Sequence, residues 1–127
     1  MCGIAGILSP DPEQRATVER MAEMLLHRGP DDRGFYRNGQ VALAQTRLRI
    51  IDLQTGHQPI FNEDESLVLV CNGEIYNSPD LRDKLTEKGH RFRTRTDVEV
   101  ILHLYEEHGD DCVKHLRGMF AFALWDR

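Results

Sequence analysis

The chain begins with the apolar stretch MCGIAGIL (residues 1–8), in which Gly3 and Gly6 interrupt small and branched side chains. A short continuous apolar run of this kind predicts a buried β-strand at the very start of the fold. The same stretch places Cys2 directly after the initiator methionine. The segment therefore bears on both the architecture and the chemistry of the protein.

Removal of Met1 would leave a thiol and a free α-amine on one residue, Cys2. An α-amine has an ordinary pKa of about 8, so near neutral pH it can act as the general base for the neighbouring thiol. A cysteine in a strand also has a simple packing explanation, because its side chain behaves as a small apolar group. Position 2 taken alone favours the packing role, so a catalytic role for Cys2 depends on other motifs.

Composition is that of one globular domain. The chain has 127 residues, of which 40% are hydrophobic and 29% charged, with a formal net charge of −5. This acidic balance speaks against nucleic acid and anionic membrane surfaces as partners. Three scattered cysteines fit a reducing cytoplasm better than a disulfide framework. No apolar stretch approaches the roughly 18 residues of a membrane-spanning helix.

Apolar periodicity predicts three helices after the first strand. The first begins at Asp11-Pro12, and its expected buried face consists of Val18, Met21, Met24 and Leu25. The second lies within residues 78–89. The third lies within residues 96–109 and is expected to begin with a capping box of Thr96 and Glu99.

Turn residues divide the remaining apolar runs into strands. Asn38-Gly39 predicts a type I′ turn in a hairpin over residues 35–43. Further strands are predicted over 48–53, 67–71 and 120–125. The chain stops two residues after the last of these, which predicts that the natural domain continues beyond Arg127.

Three polar stretches lie at the ends of these elements, around Arg47, Asn72 and Asp97. Arg47 can pair bidentately with a carboxylate, although an exposed arginine is the simpler explanation. Asn72 and the backbone N–H of Gly73 can donate to one oxyanion, and Glu74 can accept from an ammonium group, although Asn-Gly also suits a plain turn. Asp97 can bind an ammonium group or simply favour the start of a helix, and both explanations stay open.

Taken in order, the motifs are specific. They are Met1-Cys2-Gly3-Ile4-Ala5-Gly6, His27-Arg28-Gly29-Pro30-Asp31, Arg47-Leu48-Arg49-Ile50-Ile51-Asp52, Phe61-Asn62-Glu63, Asn72-Gly73-Glu74-Ile75-Tyr76-Asn77, Gly89-His90, Thr96-Asp97-Val98-Glu99-Val100-Ile101 and Leu116-Arg117-Gly118-Met119-Phe120-Ala121-Phe122-Ala123. This order resembles the glutaminase domain of class II glutamine amidotransferases, in the asparagine synthetase (glutamine-hydrolysing) family. The resemblance covers Met1 to Arg127.

The resemblance implies an α+β fold of the N-terminal nucleophile (Ntn) hydrolase type, an αββα four-layer sandwich. Residues 1–127 would be the N-terminal part of a glutaminase domain, so the sandwich is expected to be incomplete because the chain is truncated. The synthetase domain of such proteins, which uses ATP and Mg²⁺, is absent. No cofactor is expected in this chain.

Family resemblance also assigns roles. Cys2 would attack the side-chain amide of L-glutamine and form a γ-glutamyl thioester, with Asn72 and Gly73 holding the oxyanion. Arg47 would bind the substrate carboxylate, and Asn72, Glu74 and Asp97 would complete the substrate site. Glutamate and ammonia would be the products, and the ammonia would pass to the synthetase domain of the full-length chain. A second copy of the chain is a candidate partner, and a cytoplasmic location is implied.

Two other classes of function compete with the enzyme. The first is a truncated or degenerate module that binds glutamine or docks without turnover, which a retained Met1 would favour. The second is a metal protein using the six histidines. His103 with His108, and His108 with His115, lack the i, i+4 spacing of helical metal ligands, so no metal is predicted.

Two positions depart from the family pattern. Relatives often carry histidine where this chain has Gln45, a position with no predicted catalytic role. Relatives commonly carry a small residue where this chain has Arg49. Its extra positive charge could alter the carboxylate site around Arg47 or face solvent, and the sequence leaves both outcomes open.

Overall fold

The computed structural model describes residues 2–10, 13–49 and 54–127, with the backbone alone for residues 14 and 15. Ten elements follow one another in these ranges: β1 (Gly3–Leu8), α1 (Gln14–Met24), β2 (Asp32–Asn38), β3 (Val41–Arg47), β4 (Ile60–Phe61), β5 (Leu67–Ile75), α2 (Ser78–Glu87), α3 (Val100–His108), a 3-10 helix (Gly109–His115) and β6 (Gly118–Asp126).

The strands form two antiparallel sheets of three strands each. The first sheet has the order β1-β3-β2, and the second has the order β4-β5-β6. The longest ladder joins β5 to β6, from the pair Leu67 and Asp126 to the pair Ile75 and Gly118. Both long strands of the second sheet therefore run its full length side by side.

Helix α1 packs on the outer face of the first sheet. Val18 and Ala22, both 1% exposed, contact Ala42 and Ala44 of β3. The alanines let the helix approach the sheet closely, and burying a valine contributes about 1.5 kcal/mol or more.

The inner faces of the two sheets pack on each other. Leu43 of β3 lies against Val68 and Val70 of β5, and Trp125 of β6 borders the same cluster. Every second residue of each strand therefore faces the opposite sheet, as the two-residue period of a strand requires.

Helices α2 and α3 cover the outer face of the second sheet. Leu85 of α2 and Ile101 of α3 belong to one buried cluster with Leu69 and Cys71 of β5. The layers are thus helix, sheet, sheet, helix, and the predicted α+β class with αββα layering is confirmed.

The predicted buried face of the first helix needs correction. In α1, Met21 is 38% exposed and Met24 is 77% exposed, because the face that meets the sheet is Val18 and Ala22 instead. The expected start at Asp11-Pro12 lies outside the described residues, and Glu13 is the N-cap.

Strand boundaries also differ from prediction. The hairpin pairs Asn38 with Val41, so Gly39 and Gln40 are its central residues and Asn38-Gly39 is not the turn. Gly39 has φ +54°. The predicted strand over 48–53 is wrong at Leu48 and Arg49, which lie beyond the end of β3, while residues 50–53 lie outside the described ranges.

Helices in the described parts of the chain are short. None of them combines the length and the apolar character needed to cross a membrane.

Candidate functional site

A cavity of about 270 Å³ lies at one end of the sandwich. All six residues that the sequence singled out for chemistry line it: Cys2, Arg47, Asn72, Gly73, Glu74 and Asp97. They come from the residue just before β1, from β3 and β5, and from the segment before α3. Residues separated by up to 95 positions in sequence thus meet around one space.

Strand alternation explains why Cys2 and Arg47 point into the cavity. Ile4 of β1 and Leu43 of β3 both face the second sheet. Cys2 precedes Ile4 by two residues and Arg47 follows Leu43 by four, so both share the inward face. Arg47 is 4% exposed, so the interpretation of this residue as a solvent-exposed arginine is wrong.

The same rule places the polar residues of β5. Val68 and Val70 face the first sheet, so Asn72 and Glu74 lie on that face at the end of the strand. Both residues are within β5 and paired with β6, so the interpretation of Asn72-Gly73 as a turn is wrong.

One edge of β5 directs a backbone N–H toward the cavity. At Cys71 the side chain of Gln58 occupies this edge, accepting from the backbone N–H at 2.6 Å and donating to the carbonyl oxygen at 3.1 Å. At Ile75 the carboxylate of Asp97 accepts the backbone N–H at 2.6 Å. Alternate residues of a strand direct their backbone N–H groups to the same side. The N–H of Gly73 therefore points to the side occupied by Gln58 and Asp97, at a position between them.

Gly73 also packs too tightly for any side chain. A Cβ at this position would lie 2.6 Å from the carbonyl oxygen of Met119 and 2.6 Å from Cβ of Phe120. Glycine at position 73 therefore lets β6 stay paired with β5 beside the cavity.

Cys2 is held in place through its backbone and its neighbours. Nε of Arg28 donates to the Cys2 carbonyl oxygen at 3.0 Å. The next backbone N–H, of Gly3, donates to the hydroxyl of Thr46 at 3.1 Å, and that hydroxyl donates to the carbonyl of Leu25 at 3.2 Å. The Cys2 backbone is thus fixed on one side by a guanidinium and on the other by a buried threonine.

Arg47 is positioned by a glycine. A Cβ at Gly56 would lie 2.3 Å from Nη2 of Arg47 and 2.6 Å from Cγ2 of Thr96. The guanidinium therefore lies close against Gly56 at the wall of the cavity. Arg49 lies elsewhere: its side chain is 38% exposed and its Nη2 is 3.9 Å from the Asp32 carboxylate.

A buried carboxylate shapes the loop that carries Asp97. Glu99 is 0% exposed and accepts the backbone N–H groups of Arg93 and Thr94, each at 2.7 Å, and the Thr94 hydroxyl at 2.7 Å. The predicted capping box is therefore wrong, because Glu99 binds the loop before Thr96 and serves itself as the N-cap of α3.

Helix α2 supports the same loop from its other side. Arg82 donates to the carbonyl oxygens of Thr94 at 3.1 Å and Thr96 at 2.6 Å. Its guanidinium also lies 4.0 Å from the ring centroid of Phe92. The position of Asp97 therefore depends on a network anchored in both outer helices.

The second thiol at the cavity is a weak acid. Burial first, and then the nearby Asp97 and Cys2, raise the pKa of Cys71 to about 12. Burial also raises the pKa of Cys112, which lies in the 3-10 helix. Both cysteines belong to the outer core cluster, as expected for packing residues.

Sequence reasoning missed three supporting residues. Arg28 belongs to the motif of residues 27–31, to which the sequence assigns no role. Gln58 and Gly56 lie in no sequence pattern that predicts a function. Their contacts join segments far apart in the chain, which a local pattern does not encode.

A sequence profile of the glutamine amidotransferase domain matches residues 1–127. Asparagine synthetase [glutamine-hydrolyzing] 1 of Arabidopsis thaliana is 50% identical over 99% of this chain, and the Bacillus subtilis (strain 168) protein of the same name is 39% identical over 100% of it. The chain spans about a fifth of the length of these relatives, 22% and 21% respectively.

Solved structures agree on the fold. The allosteric regulatory enzyme of purine biosynthesis matches with a TM-score of 0.55 and 25% identity over 69% of this chain and 22% of its own. The glutamine phosphoribosylpyrophosphate amidotransferase of B. subtilis matches with a TM-score of 0.56 and 20% identity over 97% of this chain and 29% of its own. The predicted Ntn type of fold is confirmed, and the chain belongs to the glutamine amidotransferase domain family.

Proposed function

We propose that this domain hydrolyses the side-chain amide of L-glutamine through a γ-glutamyl thioester on Cys2. The observation that carries the proposal is the single cavity shared by a thiol, a cation, an amide and two carboxylates: Cys2, Arg47, Asn72, Glu74 and Asp97. Glutamine is a zwitterion with an amide tail, and the polar groups of the cavity complement each of its parts.

The reaction begins at the thiol. With Met1 removed, the α-amine of Cys2 takes the proton of its own Sγ, which attacks the amide carbon. The new C–S bond pushes the carbonyl electrons onto oxygen, and the side chain of Asn72 and the N–H of Gly73 donate to this oxyanion. The edge of β5 between Gln58 and Asp97 supports this role for Gly73, because the ladder directs its N–H there.

Collapse of the intermediate breaks the C–N bond. The protonated α-amine of Cys2 gives its proton to the leaving nitrogen, so ammonia departs and the thioester remains. Water then cleaves the C–S bond, giving glutamate and the free thiol. Each proton taken by the amine is returned, so the cycle balances.

Charged groups orient the substrate. Arg47 binds the α-carboxylate, because its buried guanidinium offers two parallel donors. Glu74 and Asp97 accept from the α-ammonium. Asp97 also accepts the Ile75 N–H through Oδ2, which leaves Oδ1 for the substrate.

Ammonia needs an acceptor. The similar curated proteins are named asparagine synthetases. We infer that in the full-length protein the ammonia passes to an ATP-dependent domain of the asparagine synthetase type, which would bring ATP and Mg²⁺.

Intact-mass spectrometry tests the proposal. The purified chain is weighed before and after incubation with 6-diazo-5-oxo-L-norleucine, a glutamine analogue that alkylates the nucleophile. We expect loss of Met1 and one adduct mapped to Cys2, together with glutamate release from glutamine. The Cys112→Ala variant should behave alike, and Cys2→Ala should show neither adduct nor turnover.

Other outcomes distinguish the alternative of a binding module without turnover. A retained Met1 would contradict the self-base mechanism. Loss of Met1 without an adduct, combined with calorimetric binding of glutamine, would favour a module that binds glutamine without hydrolysing it.

A further inference from the structure

Two histidines and two glutamates converge beside α3, in the helical layer that covers the second sheet. None of them lines the cavity described above. One ligand atom from each of the four side chains lies within 4.8 Å of all the others: Glu63, His90, His103 and Glu106. They come from the turn before β5, the loop after α2, and α3. An i, i+4 pair of histidines on one helix does not occur here, because only His103 and Glu106 share a helix.

Distances within the cluster lie on either side of those between ligands of one metal ion, and the shortest of them is a hydrogen bond. Nδ1 of His103 lies 2.8 Å from Oε2 of Glu106 and 3.7 Å from Oε2 of Glu63. Nδ1 of His90 lies 3.2 Å from the same Glu106 oxygen. Tetrahedral zinc with bonds of about 2.0–2.1 Å separates its ligand atoms by about 3.3 Å. Small side-chain shifts would therefore place an ion among the four atoms.

One of the two imidazoles directs its second nitrogen at a carboxylate outside the cluster: Nε2 of His90 lies 2.9 Å from Oε1 of Glu107. Nε2 of the fully buried His103 has no hydrogen-bond partner among the described residues, and Oε1 of Glu99 lies 3.9 Å from it. Metal-binding histidines usually donate this outer N–H to a carboxylate or carbonyl, which fixes the ring and frees the inner nitrogen for the metal.

The two cluster carboxylates are oriented in a similar way. The backbone N–H of Arg91 donates to Oε1 of Glu63 at 2.7 Å, which leaves Oε2 toward His103. Nδ2 of Asn62 donates to Oε1 of Glu106 at 2.8 Å, which leaves Oε2 toward both histidines. Each carboxylate thus keeps one oxygen for the cluster.

Charge favours a cation at the centre. With the His90 proton on Nε2, where it reaches Glu107, the Nδ1 lone pair faces a carboxylate oxygen at 3.2 Å. A metal ion between these two atoms relieves this opposition. A divalent ion also neutralises both Glu63 and Glu106, with neutral imidazoles as ligands.

We propose that Glu63, His90, His103 and Glu106 bind a divalent transition-metal ion of the Zn²⁺ class. Two imidazole nitrogens and two carboxylate oxygens, all of them atoms that Zn²⁺ accepts as ligands, would fill a tetrahedral shell and leave no open position. The ion joins the turn before β5, the loop after α2 and α3. Through His103, whose Nε2 lies 3.9 Å from Oε1 of Glu99, it also adjoins the residue that holds the loop carrying Asp97.

Isothermal titration calorimetry with Zn²⁺ on the chelator-treated chain tests the site. We expect one Zn²⁺ per chain, and at least about tenfold weaker binding in both His90→Gln and Glu63→Gln, since loss of even outer partners costs about 10–100-fold. These two residues are only partly buried or exposed, so the variants should fold. Matched controls are His115→Gln, from the stacked pair His108 and His115, and Glu65→Gln.

Co²⁺ substitution then locates the ion. Visible bands of a tetrahedral nitrogen and oxygen site, without a thiolate charge-transfer band, are expected in the wild type and lost in His90→Gln. A thiolate band would assign the ion to a cysteine and overturn the proposal. Absence of stoichiometric Zn²⁺ binding, or wild-type affinity in both variants, would show a network of hydrogen bonds and ion pairs only and would equally overturn it.

Discussion

Nε of Arg28 donates a hydrogen bond to the carbonyl oxygen of Cys2 at 3.0 Å. The contact joins the turn after α1 to the residue just before β1. Because the Cys2 carbonyl belongs to the same residue as the thiol and the proposed base, a guanidinium on this oxygen limits rotation of the whole nucleophile. Arg28 is thus a positioning residue that acts through Cys2.

Replacing Arg28 should slow chemistry more than it weakens binding. A hydrogen bond to a charged group contributes about 1.5–3 kcal/mol, so Arg28→Ala should lower kcat for glutamine hydrolysis at least about tenfold with little change in KM. Steady-state glutamate release measures both constants. Arg28→Lys should recover part of kcat, and Arg20→Lys, an exposed arginine on α1, serves as the control. An unchanged kcat in Arg28→Ala would remove the positioning role.

Asn72→Ala should reduce turnover through loss of an oxyanion donor. Removal of one such donor typically costs about 10²–10³ in rate. The expected result is a fall of this size in kcat, with glutamine binding largely kept. Asn38→Ala, at the exposed end of β2, is the matched control. Hydrolysis at the wild-type rate would exclude Asn72 from the oxyanion site.

Local patterns predict several of the strands, but they favour packing for Cys2 and an exposed position for Arg47, and only the family resemblance places both in one site. The two-residue period explains their inward direction once the strands are known. Cys2 and Arg47 meet because each continues the inner face of a strand whose apolar residues already show its direction. The predicted buried face of α1 is wrong because helical spacing alone does not show which of two neighbouring faces meets the sheet. Met21 and Met24 have the right spacing, but the sheet accepts the smaller Ala22, and only the packed partner decides between neighbouring faces.

Local sequence patterns do not predict contacts between segments that are far apart in the chain. Gln58 and Asp97 define the free edge of β5 around Gly73 from segments on either side of it in sequence. Glu99 binds the loop at Thr94 rather than capping its helix with Thr96. Such arrangements depend on loop geometry, which composition and spacing do not fix.

Gly56→Ala should weaken substrate binding without unfolding the protein. The new methyl group would lie 2.3 Å from Nη2 of Arg47, the far end of a flexible side chain, so the guanidinium should move. Loss of its ion pair with the substrate carboxylate predicts a rise in KM of about tenfold or more. Gly6→Ala on β1 is the control, because its methyl group would contact Leu43 instead. An unchanged KM with a normal melting curve would argue against carboxylate binding by Arg47.

Cys71 should make stability depend on alkaline pH. Burial and then the charges of Asp97 and Cys2 raise its pKa from 9.0 to about 12. Between these values the unfolded chain has lost the thiol proton and the folded chain has kept it, so the free energy of unfolding falls as pH rises. The contribution is at most about 1.4 kcal/mol for each pH unit.

Urea unfolding from about pH 8 to about pH 10.5 measures this effect in the wild type and in Cys71→Ala. Cys71→Ala should lose less stability with rising pH, because the shifts at Cys112 and Tyr105 are common to both proteins and cancel in the difference. Iodoacetamide at about pH 8 gives an independent readout: the folded chain should leave Cys71 unmodified, since only about one thiol in 10⁴ would be ionised at a pKa near 12. Parallel pH profiles together with ready alkylation of folded Cys71 would contradict the raised pKa and leave two reactive thiols at the cavity.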